Sequence, residues 1–192
     1  MMASRNNIKL PHILDAAIEI IDAQGIDELT LAALAQKLEI RSPSLYNHVD
    51  GLPDVKRQLS IYGLKQLCSV MMRAAIGRSG DEAFLEISKA YLHFARAHPG
   101  LYEITFFVPD QEDAEVKQAA QEILDLVTQV LRSYRLGESD TIHMARALRS
   151  LLHGFASLEH RGGFGLPVDR EESFQEMLDT FLAGLHARFL KN

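Results

Sequence analysis

The sequence predicts an all-α protein of about nine helices. Apolar residues recur with a period near 3.6 in nearly every segment, and no segment alternates apolar and polar residues as a half-buried strand does. Glycine and proline residues interrupt these periodic segments where helices are expected to end. With 192 residues, the chain is long enough to bury a sizeable core.

The first predicted helix runs from Pro11 to Gln24, and Gly25 is its expected C-terminal stop. Its inward-facing apolar positions are Ile13, Ala17, Ile20 and Ile21.

Residues 29–50, LTLAALAQKLEIRSPSLYNHVD, predict two short helices joined by a tight turn. Thr30 is placed to cap the first helix, because its side-chain oxygen can accept a hydrogen bond from a free backbone N–H. Ser42 is the expected cap of the second, and Pro43 follows where a missing N–H costs nothing. The inner faces are apolar: Leu31, Leu34, Ala35, Leu38, Leu45 and Val49. This is the layout of a helix-turn-helix, whose second helix enters the DNA major groove.

The remaining predicted elements span residues 53–76, 81–97, 101–107, 113–134 and 139–160, and a last helix begins at Asp169. We therefore divide the chain into an N-terminal three-helix domain, residues 1–52, and a C-terminal helical bundle, residues 53–192.

The composition is that of a soluble globular protein, with 47% apolar and 24% charged residues. No run of about 18 apolar residues predicts a membrane-spanning helix, and the N-terminus lacks the apolar core of a signal peptide. A single cysteine, Cys68, cannot form an internal disulfide. These features predict a cytoplasmic protein with no membrane partner.

The charge balance predicts only modest non-specific affinity for DNA. The net charge is −6, and residues 1–60 carry six Lys/Arg against eight Asp/Glu. Placement matters more than the sum, since phosphate attraction decays within about 10 Å at moderate salt. Arg41 and Lys56 are among the cations that flank the second helix of the motif.

No residue pattern predicts catalysis, a metal site or a cofactor. His93 and His98 are five residues apart, rather than the three or four that place ligands on one helical face. Cys68 has no local histidine partner and is interpreted as a buried, inert thiol.

For the C-terminal bundle, two functional interpretations stay open, and each has ordinary packing within the chain as its alternative. Aromatic and methionine side chains either fill the core or line an apolar ligand cavity between helices; the candidates are Met71, Tyr91, Phe94, Phe106 and Phe155. The last two helices have broad apolar faces, which either pack within the chain or form a two-fold dimer. The candidate dimer residues are Leu151, Gly154, Phe155, Leu158, Phe174, Leu178, Phe181 and Leu185.

The segments LTLAALAQKL and SPSLYNHV closely resemble the DNA-binding domain of the tetracycline-repressor (TetR) family. The later run RALRSLLHGFASLEHRGGF resembles the C-terminal domain of a TetR subgroup marked by Leu152-His153-Gly154. Together the two resemblances cover essentially the whole chain. They imply a homodimer that reads operator DNA, and an unidentified small-molecule effector that binds the bundle and releases the operator.

Carried over by position, the resemblance implies phosphate contacts from Thr30, Tyr46 and His48. It places a second set of residues against the major groove: Arg41, Ser42, Pro43, Ser44 and Asn47. An Asn amide can pair bidentately with adenine, and an Arg guanidinium with guanine.

The sequence departs from the family pattern at two informative positions. Glu39 stands in the turn where the motif often has glycine, and a left-handed backbone there costs a non-glycine residue about 1–2 kcal/mol. Leu52 stands where many relatives place a phosphate-binding lysine, so that contact passes to Lys56, Arg57 or the Gly51 backbone N–H. The predicted function is a DNA-binding transcriptional repressor that is not an enzyme. The alternative is an all-α small-molecule-binding protein or enzyme whose helix-turn-helix is only structural.

Overall fold

A computed structural model describes residues 8–106 and 113–189, and within them the chain is all-α, as predicted. Eight α-helices occupy this part of the chain: α1 Leu10–Gln24, α2 Leu31–Lys37, α3 Gly51–Ala75, α4 Gly80–Ala97, α5 Pro99–Ile104, α6 Ala114–Leu131, α7 Glu138–His160 and α8 Arg170–Phe189. Three short 3-10 helices, Ile26–Glu28, Ser42–Asn47 and Arg132–Tyr134, lie between them. Phe107, predicted to close the sixth element, lies outside the described residues.

The chain forms two compact units, and the first is discontinuous in sequence. Of the described residues, it comprises 8–65, 98–106 and 113–118, and the second unit comprises 66–97 and 119–189. The division expected at residue 52 therefore differs from this grouping, in which the first half of α3 and all of α5 join the helix-turn-helix.

Helix α5 is held in the first unit by close contact with α1. Gly100 lies so near the Ile21 backbone that a Cβ atom there would be 2.2 Å from the Ile21 carbonyl oxygen. The Asp22 carboxylate accepts a hydrogen bond from the Leu101 N–H at 2.9 Å and contacts His98 Nδ1 at 3.0 Å. Backbone N–H groups in the first turn of a helix have no acceptor within that helix. Asp22 of α1 supplies the acceptor for one such N–H of α5.

The second unit has an aromatic core joined by polar contacts near its helix ends. The Phe84 and Phe181 rings stack at 5.3 Å, and Phe155 packs edge-on against Phe174 at 4.9 Å. The buried Tyr134 hydroxyl donates to Asp81 at 2.8 Å, and burial is the main cause that raises the pKa of this phenol. These contacts tie α4, α7 and α8 together.

The described residues 8–106 and 113–189 include no helix long and apolar enough to cross a membrane. Cys68 is buried, as predicted, and burial raises the pKa of its thiol.

Candidate nucleic-acid interface

The turn between α2 and the 3-10 helix Ser42–Asn47 is set by a complete C-terminal capping motif. The Ile40 N–H donates to the Ala35 carbonyl at 2.9 Å, and the Glu39 N–H donates to the Gln36 carbonyl at 3.1 Å. These two bonds define a Schellman motif, in which the residue after the cap adopts a left-handed backbone. Glu39 has this backbone, with φ 56°, so the cost considered for a non-glycine residue in this turn applies to it.

Thr30 caps α2 as predicted, since its Oγ1 accepts the Ala33 N–H at 3.0 Å. The prediction that Ser42 caps the next helix is wrong. Arg41 occupies the N-cap position without a side-chain hydrogen bond, and Ser42 is the first helical residue. This helix is also a 3-10 helix rather than an α-helix, which suits a single short run of six residues that begins with Ser-Pro.

The segment from Arg41 to His48 presents nearly all of its side chains to solvent. Leu45 is fully buried and Val49 nearly so, and α2, whose Leu34 and Ala35 are also buried, contacts this 3-10 helix. The candidate DNA-contacting residues here are all exposed: Arg41, Ser42, Pro43, Ser44, Tyr46, Asn47 and His48. Tyr46 is 60% exposed, so this aromatic side chain is accessible to an external partner.

Two of the cations in and beside this motif, Arg57 and Lys37, are held by carboxylates of the same chain. Arg57 pairs with Asp113 and Glu115, and these hydrogen bonds raise the pKa of the Arg57 guanidinium and lower that of the Asp113 carboxyl. The Arg57 guanidinium is therefore engaged within the chain, which argues against the phosphate role considered for it. Lys37 pairs with Glu19 at 2.6 Å. Arg41 is exposed, and Lys56, one turn into α3, is half-buried. Their phosphate contacts stay a prediction.

The candidate ligand residues fall in different units. Met71, Tyr91, Phe94 and Phe155 are buried in the second unit. Phe106 belongs to the first unit, is 37% exposed and packs edge-on against Tyr102 at 5.2 Å.

A cavity of about 430 Å³ in the second unit is lined by other residues. Polar side chains from α4, α7, α8 and the residue before α8 line it: Arg96, Glu159, His160, Asp169, Arg170 and Glu171. The apolar effector cavity stays a prediction. Within the described residues, no three His, Cys, Asp or Glu side chains are arranged to hold a metal ion.

The candidate dimer residues divide by burial. Phe155, Phe174, Leu178 and Leu185 are already buried within the single chain, so they have little surface to offer a partner. The other four retain exposed surface: Leu151, Gly154, Leu158 and Phe181. At Gly154, a Cβ atom would meet nothing within 4 Å, so the backbone is open to approach from outside the chain.

Some contacts that support the site were missed by the sequence analysis because their partners are far apart in sequence. Arg57 is 56 residues from Asp113, and Asp22 is 79 residues from Leu101. No local pattern marks either pair.

Comparison with known proteins gives the chain its family. The family model described as bacterial regulatory proteins, tetR family, matches residues 13–48, which hold the helix-turn-helix. The model described as tetracyclin repressor-like, C-terminal domain, matches residues 84–181. The chain belongs to the TetR family of bacterial regulatory proteins.

Relatives along the full length support the same family. The chain is 38% identical over 185 residues to the HTH-type transcriptional regulator YobS of Bacillus subtilis (strain 168), covering 96% of each chain. It is 34% identical over 177 residues to the HTH-type regulator Rv0681 of Mycobacterium tuberculosis, covering 92% of this chain and 81% of that one. A solved Rhodococcus sp. RHA1 structure has the same fold, with a TM-score of 0.82 at 21% identity over 95% of this chain and 98% of that one. The protein is thus a TetR-family transcriptional regulator.

Proposed function

We propose that this TetR-family regulator is a homodimeric repressor that reads its operator through the segment Arg41–His48 and leaves it when a small molecule binds. One observation carries the proposal: seven of these eight side chains face solvent while Leu45 fixes the segment to the core. Because Leu45 alone is buried, the other seven side chains are accessible to the bases and phosphates of a DNA groove.

The chemistry of these side chains separates those suited to contact bases from those suited to contact phosphates. The Asn47 amide matches the N6 and N7 edge of adenine, the Arg41 guanidinium matches guanine or a phosphate, and the Pro43 ring matches a thymine methyl group. Tyr46, Thr30 and His48 supply hydroxyl and ring N–H donors for phosphates. Two copies in a dimer then read half-sites about 34 Å apart, or a multiple of that spacing.

The local charge balance supports a reader that depends on base contacts rather than on bulk attraction. Lys37 and Arg57 are neutralised by carboxylates of the same chain. Because salt dependence follows the number of phosphates that cations neutralise, we expect the affinities for the operator and for random duplexes to fall with a similarly shallow slope as the salt concentration rises.

The testing experiment selects bound duplexes from a random library with the full-length protein, then measures affinity by fluorescence anisotropy. Asn47→Ala is expected to relax the preference at one base pair and to cost about 1–3 kcal/mol on the operator only. Tyr46→Phe, which removes one phosphate donor, is expected to weaken operator and random duplexes equally. Tyr62→Phe, at a half-buried position in α3, is the matched control. Equal loss on both duplexes for Asn47→Ala would contradict its role as a base reader.

The dimer and the effector are tested separately. Gly154→Leu fills the open backbone of α7 and is expected to halve the mass measured by light scattering, with unchanged helical content by circular dichroism. Transcription in vitro from a promoter that contains the selected site is expected to fall when the protein is added. A compound that releases the protein lowers the fluorescence anisotropy of the labelled operator. Such compounds are then tested for slower amide hydrogen exchange at Met71, Tyr91, Phe94 and Phe155.

A further inference from the structure

We propose that the cavity between the ends of α4, α7 and α8 is a binding site for a small organic ammonium ion. Its volume of about 430 Å³ falls within the range of about 300–1,000 Å³ that is typical of small-molecule sites. None of the five candidate effector residues lines this cavity. The inference therefore concerns a second ligand site, and it goes beyond the proposed function.

The polarity of the helix ends around the cavity favours a cation. Arg96 lies in the last turn of α4, and Glu159 and His160 lie in the last turn of α7. The carbonyl end of a helix carries partial negative charge and stabilises a positive group. The α8 N-terminus has the opposite polarity, but the Asp169 carboxylate of the same chain already caps it by accepting the Glu172 N–H at 2.9 Å. Two helix C-termini are thus left to interact with a ligand.

The charged side chains that line the cavity carry one more negative charge than positive. Two arginines, Arg96 and Arg170, line it together with three carboxylates, those of Glu159, Asp169 and Glu171. A ligand with a single positive charge balances this difference, whereas an anion would add to it.

The hydrogen bonds of the lining residues leave acceptor capacity for such a ligand. Arg96 donates to both oxygens of Glu159, at 2.7 and 2.9 Å, and pairs with Glu171. Arg170 lies 3.9 Å from Glu159, which is beyond hydrogen-bond distance. An ionised carboxylate has about four lone-pair sites, so Glu159 and Glu171 can each accept further N–H donors. A primary ammonium group supplies three such donors and a positive charge.

The shielding of Glu159 makes its charge effective within the cavity. Its side chain is only 10% exposed, although it is ionic, because Arg96 holds it in place. Electrostatic attraction is stronger where water is largely excluded. Two buried alanines, Ala95 and Ala156, also line the cavity, and their methyl groups provide contact for the apolar body of a ligand.

The arrangement of the carboxylates favours an organic cation over a metal ion. Among residues 8–106 and 113–189, no three His, Cys, Asp or Glu side chains are grouped closely enough to hold a metal. A metal ion would need several oxygen ligands around one point, whereas an ammonium group needs only acceptors within hydrogen-bond distance on one side.

The test titrates the full-length protein with benzylamine near pH 7, where this amine is a cation, and follows binding by isothermal titration calorimetry. Benzyl alcohol and benzoate are its neutral and anionic counterparts of similar size. We expect benzylamine to bind about tenfold more tightly than either, since hydrogen bonds between charged groups are the stronger ones.

Two variants with opposite expected effects locate the site. Glu171→Gln removes a lining carboxylate and is expected to weaken benzylamine binding about two- to fivefold, as for a partly exposed ion pair. Arg170→Gln removes a cation that competes with the ligand and is expected to tighten binding. Glu172→Gln is the matched control, because Glu172 lies in the same first turn of α8 but does not line the cavity. It is expected to leave the dissociation constant unchanged, and circular dichroism checks that the variants fold.

Three results would overturn the inference. They are equal affinities for benzylamine and benzyl alcohol, an unchanged dissociation constant for Glu171→Gln, and equal weakening by Glu171→Gln and Glu172→Gln, which would assign the effect to net charge alone. Because the titration contains no DNA, a failure of the proposed repressor function leaves these outcomes unaffected.

Discussion

Replacement of Glu39 by glycine is expected to stabilise the protein without changing a single hydrogen bond of the turn. Glu39 has φ 56°, where an L-residue costs about 1–2 kcal/mol relative to glycine. Glycine also adds freedom to the unfolded chain, which offsets about 0.5–1 kcal/mol of the gain. The expected net increase in the free energy of unfolding is about 0.5–1 kcal/mol. For a chain of this size, each kcal/mol raises the melting temperature by roughly 2–4 °C.

Denaturant unfolding at one fixed protein concentration measures the effect, because dimer stability depends on concentration. Glu39→Ala is the matched control, since it removes the exposed carboxylate but keeps Cβ, and it is expected to leave stability unchanged. Arg135→Gly repeats the experiment at the other described non-glycine residue with positive φ, 54°, in the second unit. A stability gain for Glu39→Ala as large as that for Glu39→Gly would refute the strain argument and assign the effect to charge.

Operator affinity separates strain from charge in the same variants. Both Glu39→Gly and Glu39→Ala remove a negative charge two residues before Arg41, so both are expected to bind operator DNA more tightly and to the same extent. A gain limited to the glycine variant would mean that the turn conformation itself changes on binding.

Four other substitutions test contacts and backbone positions within the two units. Gly100→Ala places a methyl group against backbone and is expected to cost about 3 kcal/mol in denaturant unfolding, whereas the open helical site Gly184→Ala is expected to gain about 1 kcal/mol. Arg57→Gln is expected to raise the pKa of the Asp113 carboxyl measured by NMR. Because Arg57 lowers that pKa in the folded protein, its stabilisation is present above about pH 4 and is lost as the pH falls. Burial, followed by nearby arginines, lowers the pKa of His153, so the wild type is expected to lose stability as the pH falls below about 6.5, and His153→Gln to lose less.

Local signals in the sequence were sufficient to predict most helix boundaries and the turn of the motif. Gly25 ends α1, Thr30 caps α2, and the helices predicted from periodicity match those of the structure within a few residues. Each of these features depends on residues within about one helical turn of each other, so a single stretch of sequence contains the whole cause. The Ser42 cap failed because Pro43 fits equally well at the first or second helical position, and the pattern does not distinguish the two.

Burial within one chain and burial against a second chain look alike in the sequence. Leu178 and Leu151 both lie on apolar stripes, yet Leu178 is fully buried and Leu151 keeps exposed surface. A helical period identifies an apolar face but not the molecule that covers it. The pairing of Arg96 with Glu159 and Glu171 could not be predicted either, because Arg96 is 63 residues from Glu159.

The close packing of Gly100 on Ile21 has a consequence for synthesis on the ribosome. The ribosome synthesises the α1 surface against which Gly100 packs early, but it synthesises α5, which contains Gly100, only after residues 66–97. A premature stop codon within residues 66–97 therefore deletes α5 and leaves the α1 surface uncovered. We expect the released fragment to be degraded rather than to occupy operators as an unregulated competitor.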